Sequence, residues 1–329
     1  MKVWGHIANC LKSSGACALV TVAETGGSTP RETGARMIVR PDGGFYGTIG
    51  GGTLEFEVIR QAAKVASNKT AGFELKTVSL GPDLGQCCGG RAKIAIEVFV
   101  AEQLVTAERL ALEESKPYPF VTRVIIENGS DHQREVVDRA PEGAFQIVEE
   151  NGQKRLFEQF GETRRTLYLF GAGHVGKALV LALAPLPFSI VWLDSRADQF
   201  PSAVPANVTK VCTSDPAKAL EDAPDGAFVL AMTHSHGLDE EIMARALLAQ
   251  RFGYCGVIGS KTKRVRFLKR LKTRGLSDSV LSSMVCPVGM TTIKSKQPAA
   301  IAAGIVVDLI ARDEACYQQA AASGRLAHK

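Results

Sequence analysis

The chain has 329 residues and a mass of 35.1 kDa, a length that predicts two domains or one large α/β unit and excludes a small disulfide-stapled fold. Hydrophobic residues make up 45% of the chain and charged residues 22%, so a sizeable core can form and global disorder is excluded. The net charge of +5 is unevenly distributed along the chain. Residues 1–160 carry 18 basic and 20 acidic side chains, whereas residues 161–329 carry 21 basic and 14 acidic side chains. Any preference for anions therefore belongs to the second half. Since we find no secretory leader and no apolar run of about 18 residues, we expect a cytoplasmic protein that does not contact membranes.

Residues 1–100 predict a small α+β domain. Short apolar, β-branched runs predict strands, and a turn at 41–44 suits a hairpin. Helical spacing of apolar residues predicts a helix over about 53–66, and two more strands flank a loop at 81–90. The pattern over residues 101–163 is weaker, with one possible helix and some strands, and we interpret it as a connecting region.

Residues 164–329 predict a second domain of a different class. An apolar strand at 166–170 leads into Gly-Ala-Gly-His-Val-Gly and an apolar helix. Strands and helices then alternate as far as a last helix from about 298 to 312, which indicates a doubly wound parallel sheet. The predicted fold class is therefore α/β, with a C-terminal Rossmann-like domain and a smaller N-terminal α+β domain.

Three glycines of the second domain have the spacing of a dinucleotide-binding turn. Gly171, Gly173 and Gly176 lie between a predicted strand and a predicted helix, and Asp194 ends the next strand, close to the position of an acid that binds a ribose. The glycines allow a tight turn and close approach of a pyrophosphate to the helix N-terminus. NAD(P) or another nucleotide is the ligand this predicts; the alternative is a Rossmann-type fold whose site is empty or used otherwise.

Two glycine-rich loops occur in the first domain. Thr-Gly-Gly-Ser-Thr-Pro-Arg contains Ser28 and Arg31, and Gly-Thr-Ile-Gly-Gly-Gly contains Gly50, Gly51 and Gly52 just before the predicted helix. Such loops can offer backbone N–H groups to a phosphate while arginine supplies positive charge. The alternative is a pair of ordinary β-turns.

Cys87 and Cys88 are adjacent in a glycine-rich loop, where a core role is not expected. They are candidates for soft ligands of a transition metal or for a thiolate that carries persulfide sulfur. An incidental thiol pair and a vicinal disulfide are the alternatives. Eight cysteines without a Cys-x-x-Cys pair argue against a zinc ribbon and a secreted disulfide framework.

His234 and His236 follow a predicted strand at the edge where doubly wound sheets bind ligands. They could contact a ligand, take part in acid–base chemistry or bind a metal, although we find no third ligand at a recognisable spacing.

The stretch 261–274 is basic and contains no acidic residue. It suits a solvated helix face, an anionic cofactor or an acidic partner protein, with Ser260 at the start of a helix whose N-terminus can hold an anion. Nucleic acid is not expected as a partner, since Phe267 is the only aromatic residue interleaved with the basic residues of this stretch.

Together these segments resemble the xanthine dehydrogenase accessory protein family (XdhC/CoxI), over nearly the whole chain outside about 100–160. The resemblance rests on ordered blocks, namely Gly27-Ser28-Thr29-Pro30-Arg31 with Gly34-Ala35, Gly47-Thr48-Ile49-Gly50-Gly51-Gly52 with Glu55, Gly85-Gln86-Cys87-Cys88-Gly89-Gly90, Phe170-Gly171-Ala172-Gly173-His174-Val175-Gly176, Asp194-Ser195-Arg196, Thr233-His234-Ser235-His236 with Asp239, Gly256-Val257-Ile258-Gly259-Ser260 with Lys263-Arg264, and Cys286-Pro287-Val288-Gly289. One departure is Pro298-Ala299-Ala300-Ile301, where the family usually has two glutamates after the proline, so we assign no carboxylate role there.

The resemblance implies a chaperone for the molybdenum cofactor, molybdopterin. Such a protein would bind the cofactor, hold it while a cysteine desulfurase replaces a terminal oxo ligand by sulfur, and insert it into a xanthine dehydrogenase-type molybdenum hydroxylase apoenzyme. The implied cofactor-binding residues are Ser28, Arg31, Gly50, Gly51, Gly52, Glu55, Cys87, Cys88, Gly171, Gly173, His174, Gly176, Asp194, His234, His236 and Ser260. Cys87 and Cys88 would also be the metal ligands, and no catalytic residue is assigned.

Two other functions stay open. An NAD(P)-dependent oxidoreductase would use only the second domain, and we find no Tyr-x-x-x-Lys or His/Asp pairing after the glycine turn. A sulfur-transfer protein with persulfide on Cys87 or Cys88 would overlap with the chaperone. We expect a homodimer, because two-domain proteins of this size often form dimers.

Overall fold

The chain forms two compact units, Met1–Thr163 and Arg164–Lys329. A computed structural model describes residues 1–79, 90–116, 118–126, 134–138 and 143–322. Cys87 and Cys88 lie outside the described residues. Of the helices in the described part of the chain, none is both long and apolar enough to cross a lipid bilayer.

The first unit is built on antiparallel sheets. Its elements in chain order are α1 (Val3–Ser14), β1 (Ala16–Gly26), β2 (Arg36–Val39), β3 (Phe45–Gly47), α2 (Gly52–Ser67), β4 (Gly72–Ser79), β5 (Arg91–Val100), α3 (Leu104–Glu114), β6 (Phe120–Ile125), β7 (Glu135–Val137), β8 (Phe145–Glu150) and β9 (Gln153–Phe160). One sheet has the strand order β3-β2-β1-β5-β4, and a second has the order β7-β6-β9-β8.

Alternation along β1 divides the core of this unit into layers. Val20 and Val22 point to the face covered by α2, where Leu54 and Val58 pack against them. Leu19 points to the other face and packs with Trp4 of α1. Each face of the five-stranded sheet is therefore covered by its own apolar layer.

Residues 101–163 contribute helix α3 and the four-stranded sheet, and they are part of the first unit. Arg134, just before β7, is buried and donates to Glu97 of β5 and, at 2.8 Å, to Thr122 of β6. Its Nη1 lies 2.8 Å from Oε2 of Glu158 on β9. A buried ion network therefore joins the two sheets in the segment that we interpreted as a connection.

The second unit is a parallel α/β sandwich. Its elements are β10 (Arg165–Phe170), α4 (His174–Ala182), β11 (Phe188–Asp194), β12 (Val208–Cys212), β13 (Phe228–Ala231), α5 (His236–Ala249), β14 (Tyr254–Val257), α6 (Lys261–Thr273), α7 (Asp278–Ser282), β15 (Met284–Val285) and α8 (Pro298–Ala322). The strand order is β12-β11-β10-β13-β14-β15, and all neighbouring strands are parallel. This is the doubly wound order, whose direction reverses between β10 and β13.

Helices cover both faces of this parallel sheet. Leu169 and Trp192 pack with α4 and α8 on one face, and Phe170 and Val229 pack with α5, α6 and α7 on the other. The predicted α/β fold class, with a Rossmann-like second unit and a smaller first unit, is confirmed. The main differences in the elements are helix α1, which we did not predict although Gly15 ends it in the left-handed conformation, and the extension of α8 to Ala322, beyond the end expected near residue 312.

Candidate functional site

The glycine turn between β10 and α4 leaves no room for a side chain at its first position. Gly171 has a φ of +117°, and a Cβ there would lie 2.4 Å from the carbonyl oxygen of Met232, just after β13. Only glycine adopts this conformation without strain. The turn is thereby held against the neighbouring loop at the point where the strand order reverses.

The other two glycines of the turn have different surroundings. A Cβ at Gly176 would lie 2.3 Å from the carbonyl oxygen of Gly171, so α4 packs directly on the turn. A Cβ at Gly173, which caps the N-terminus of α4, would have no neighbour within 4 Å. Open space therefore lies beside the N–H groups at the start of α4, next to His174, as a bound pyrophosphate requires.

Asp194 at the end of β11 is engaged inside the protein. Its Oδ2 accepts from the backbone N–H of Ala172 at 2.7 Å and from Nη2 of Arg196 at 3.0 Å, and its Oδ1 accepts from the backbone N–H and Nε of Arg196. Burial by itself would raise the pKa of Asp194. The hydrogen bonds together have the larger effect and hold the pKa below its usual range. The carboxylate therefore fixes the turn, and its side chain is 3% exposed.

His234 and His236 are both exposed near the switch point. Ser235 between them caps α5 by accepting from the backbone N–H of Leu238 at 3.3 Å, and His236 is the first residue of the helix. The two histidines therefore lie on either side of the start of α5, as one residue of the loop and one residue of the helix. Among the described residues, no group of three or more His, Cys, Asp or Glu side chains is placed to hold a metal ion.

A buried ion pair lies beneath these histidines. Asp239 of α5 accepts from the backbone N–H and the hydroxyl of Thr233, and its Oδ2 lies 2.8 Å from Nζ of Lys263. Lys263 also donates to the carbonyl oxygen of Ile258, and Ser260 caps α6 by accepting from the backbone N–H of Lys263. The loops that follow β13 and β14 are therefore tied together by one lysine.

In the first unit, the two glycine-rich loops lie against each other, and Gly90 lies against the first of them. A Cβ at Gly50 would lie 2.6 Å from Cγ of Pro30, so the second loop lies against the first. A Cβ at Gly90 would lie 2.3 Å from the carbonyl oxygen of Ser28. The first loop therefore contacts both the second loop and the end of the segment that contains the two adjacent cysteines.

Glu55 organises the second loop from the first turn of α2. Its Oε2 accepts from the hydroxyl of Thr48 at 2.5 Å and from the backbone N–H groups of Ile49 and Gly51 at 2.9 and 3.2 Å. Burial by itself would raise the pKa of Glu55. These hydrogen bonds together have the larger effect, so the pKa lies below its usual value. The N–H groups that could have held a phosphate are thus directed at a carboxylate of the protein itself. Gly52 is the first residue of α2, one position before the start that we predicted at about residue 53.

The first loop presents the accessible polar groups. Ser28 is exposed, and Arg31 has a side chain that is 38% exposed and lies 3.3 Å from the exposed carboxylate of Glu32. The hydroxyl of Thr29 donates to the carbonyl oxygen of Arg31 and shapes the loop. This loop can therefore offer a hydroxyl and a guanidinium to an anion.

A cavity of about 640 Å³ lies beside the end of β1, before the first loop. Its walls include Phe73, Phe145 and Ile147. Its charged groups are Glu24, Lys93 and Lys154, and Lys93 forms an ion pair with Glu24. A cavity of this size suits a small molecule, here one with a flat apolar part. Neither the cavity nor the Asp239–Lys263 pair was predicted, because each joins residues far apart in the chain; the only sequence signal was that Asp239 and Lys263 stand in two of the resembling blocks.

The chain matches two sequence models of one family. The XdhC and CoxI family model matches residues 10–79, and the XdhC Rossmann domain model matches residues 167–309. An uncharacterized protein of Escherichia coli (strain K12), YqeB, is 26% identical over 297 residues, which are 89% of this chain and 43% of YqeB, so the chain spans less than half of that relative.

Two further relatives match over nearly their whole length. A protein of Bacillus subtilis (strain 168), named as a probable xanthine dehydrogenase subunit, is 24% identical over 318 residues, covering 89% of this chain and 92% of the relative. A crystal structure described as a xanthine dehydrogenase from Bacillus halodurans has a TM-score of 0.72 at 22% identity, covering 96% of both chains. The last likeness concerns the fold.

Proposed function

Because this chain belongs to the XdhC and CoxI family, we propose that it is an accessory protein for a xanthine dehydrogenase-type molybdenum hydroxylase. In this proposal it binds the molybdenum cofactor, molybdopterin, as cargo. It holds the cofactor while a cysteine desulfurase replaces a terminal oxo ligand by sulfur, and then inserts it into the apoenzyme. The protein acts in the cytoplasm as a homodimer.

The contacts of the first loop with the second loop and with Gly90 are the observation that supports cargo binding. Gly50 lies against Pro30, and Gly90 lies against the carbonyl oxygen of Ser28. The exposed polar groups of the first loop are therefore near the end of the segment with Cys87 and Cys88. A phosphate group and a soft metal centre, which molybdopterin combines, would find a guanidinium and thiolates in one region.

The chemistry of the first loop fits the phosphate of this cargo. Arg31 would pair with the phosphate and Ser28 would donate a hydroxyl hydrogen bond, while Glu55 would act only by holding the second loop in place. The cavity with Phe73 and Phe145 would take the flat pterin ring. Cys87 and Cys88 would be ligands of the molybdenum.

The names of the relatives support the choice of client enzyme. The Bacillus subtilis protein and the Bacillus halodurans structure carry xanthine dehydrogenase names, and this supports a molybdenum hydroxylase of that type as the client.

The test is anaerobic purification of the protein from a host that makes molybdenum cofactor. Molybdenum is measured by mass spectrometry and pterin by fluorescence after oxidation. We expect near-stoichiometric pterin and molybdenum with the native chain, and loss of both with Arg31→Gln. Glu32→Gln is the matched control, because it neutralises the exposed neighbour of Arg31, and it should retain the pterin.

The cysteines are tested by Cys87→Ala/Cys88→Ala, with the exposed Cys212→Ala as the control. Loss of molybdenum with the double variant supports ligation. If the cargo stays bound and only activation of the client fails, the cysteines handle sulfur instead. Absence of pterin from the native chain would contradict the proposal.

The second candidate is an NAD(P)-dependent oxidoreductase, which is favoured by the open space at Gly173. This function predicts that the purified protein transfers a hydride to or from a nicotinamide. Absence of pterin together with such transfer would replace the accessory function by this one.

A further inference from the structure

The acid that would bind a ribose in the second unit cannot do so as the structure stands. Asp194 is 3% exposed, and each of its oxygens already accepts two hydrogen bonds, from Ala172 and from Arg196. In dinucleotide sites, the acid at the end of this strand accepts hydrogen bonds from the ribose hydroxyls. Here that capacity is used inside the protein.

The group that is presented at this position is a cation. The Arg196 side chain is 35% exposed. It donates one hydrogen bond from Nε and one from Nη2 to Asp194, so its remaining N–H groups can donate to a ligand. Ser195, directly before it, is also exposed. Asp198, the nearest exposed acid in the sequence, is hydrogen-bonded by Gln199.

The position of Arg196 relative to the glycine turn is that of the ribose end of a dinucleotide. β11, which ends at Asp194, pairs with β10, whose end leads into the turn, and Asp194 accepts from the backbone N–H of Ala172 in that turn. Gly173, one residue further, faces open space. A pyrophosphate at the start of α4 would therefore place its ribose close to Arg196.

We propose that the second unit binds a 2′-phosphorylated dinucleotide, NADP(H), in preference to NAD(H). The Arg196 guanidinium and the Ser195 hydroxyl would bind the 2′-phosphate. NAD(H) lacks this phosphate, and its free 2′-hydroxyl would need Asp194 as acceptor. For Asp194 to accept from that hydroxyl, the bidentate Arg196 guanidinium would have to leave a buried carboxylate, which costs free energy. The Asp194–Arg196 ion pair therefore disfavours NAD(H). This inference does not depend on cargo binding by the first unit.

The test is isothermal titration calorimetry of the full chain with NADP⁺, NAD⁺ and 2′,5′-ADP. We expect saturable binding of NADP⁺ and 2′,5′-ADP, with NADP⁺ at least about tenfold tighter than NAD⁺, as expected for charge-assisted hydrogen bonds to one phosphate. Equal or tighter binding of NAD⁺, or no binding of any of the three, would overturn the proposal. No variant is needed for this result.

Variants then assign the preference to Arg196. Arg196→Gln should lower the affinity for NADP⁺ to about that for NAD⁺, and Arg196→Lys, which keeps a charge for Asp194, should keep part of the preference. The exposed Arg266 of α6, beyond β13 and β14 from this site, is the control, and Arg266→Gln should leave the affinities unchanged. Thermal unfolding shows whether each variant is folded. Retention of the full preference by a folded Arg196→Gln protein would refute the assignment.

The two proposals can fail separately. Pterin in the purified protein without dinucleotide binding would leave the accessory function intact and reject this inference. NADP⁺ binding without pterin would support this inference and reject the accessory function.

Discussion

Nζ of Lys263 lies 2.8 Å from Oδ2 of Asp239, and the Asp239 side chain is completely buried. The pair joins the first turns of α5 and α6, which follow neighbouring strands at the carboxyl edge of the sheet. A buried carboxylate that loses its cation is strongly destabilising. The Asp239–Lys263 pair therefore holds together the loops that carry His236 and Ser260.

Lys263→Ala should lower the free energy of unfolding by about 3–5 kcal/mol, because it leaves Asp239 buried and uncompensated. The exposed Lys269 of the same helix is the control, and Lys269→Ala should change stability by less than about 0.5 kcal/mol. Urea unfolding followed by circular dichroism measures both. Similar small effects of the two substitutions would show that the pair does not stabilise the loops.

Gly171→Ala and Gly173→Ala should differ in their effects. Alanine at residue 171 meets the carbonyl oxygen of Met232 at a positive φ and should cost about 1–3 kcal/mol of stability. Alanine at residue 173 meets no neighbour and should leave the unfolding temperature nearly unchanged, but it should weaken dinucleotide binding, because its methyl group enters the open space. Thermal unfolding and calorimetry separate the two effects, and equal loss of stability in both variants would contradict this account of the turn.

Glu55→Gln should destabilise the first unit at neutral pH by about 1–3 kcal/mol, because Oε2 accepts three hydrogen bonds in the second loop. The pKa of Glu55 is lower in the folded state than in the unfolded state. Its stabilisation is therefore complete above the unfolded pKa and is lost as the pH falls through the folded pKa. The difference in unfolding free energy between the native chain and the variant should shrink on acidification.

The control for this pH dependence is Glu57→Gln on the same helix, where the carboxylate lies 2.8 Å from the exposed Arg60. Its effect should be small at every pH. A difference for Glu55→Gln that stays constant down to acid pH would mean that the carboxylate charge does not hold the loop.

Arg134→Met should destabilise the first unit by about 3–5 kcal/mol, since Glu97 and Glu158 would remain buried without their shared cation. The control is Arg123→Met, because Arg123 pairs with Glu135 at the surface and should contribute little. Chemical unfolding measures both variants. If the first unit tolerates Arg134→Met, apolar packing and the remaining contacts of Glu158 with Arg36 and Thr21 are enough to hold the two sheets together.

The sequence by itself determined the class of the second unit and the place of its turn. Alternating apolar strands and helices have a regular period, and Gly171, Gly173, Gly176 and Asp194 lie within one βα unit and the strand after it, so their relationship is readable over a short stretch of chain. The resemblance to the family, which the two sequence models confirm, also rests on such local blocks.

Only the tertiary structure decided which of these groups face a ligand. Asp194 and Glu55 are acids in the right places, yet each accepts hydrogen bonds from backbone N–H groups of a neighbouring glycine-rich loop, while Arg196 and Arg31 are left accessible. The pairs Asp239–Lys263 and Arg134–Glu97 join residues 24 and 37 positions apart. Such contacts depend on which strands and helices become neighbours, and the periodicity of a sequence carries no information about which distant charge will neutralise a buried one.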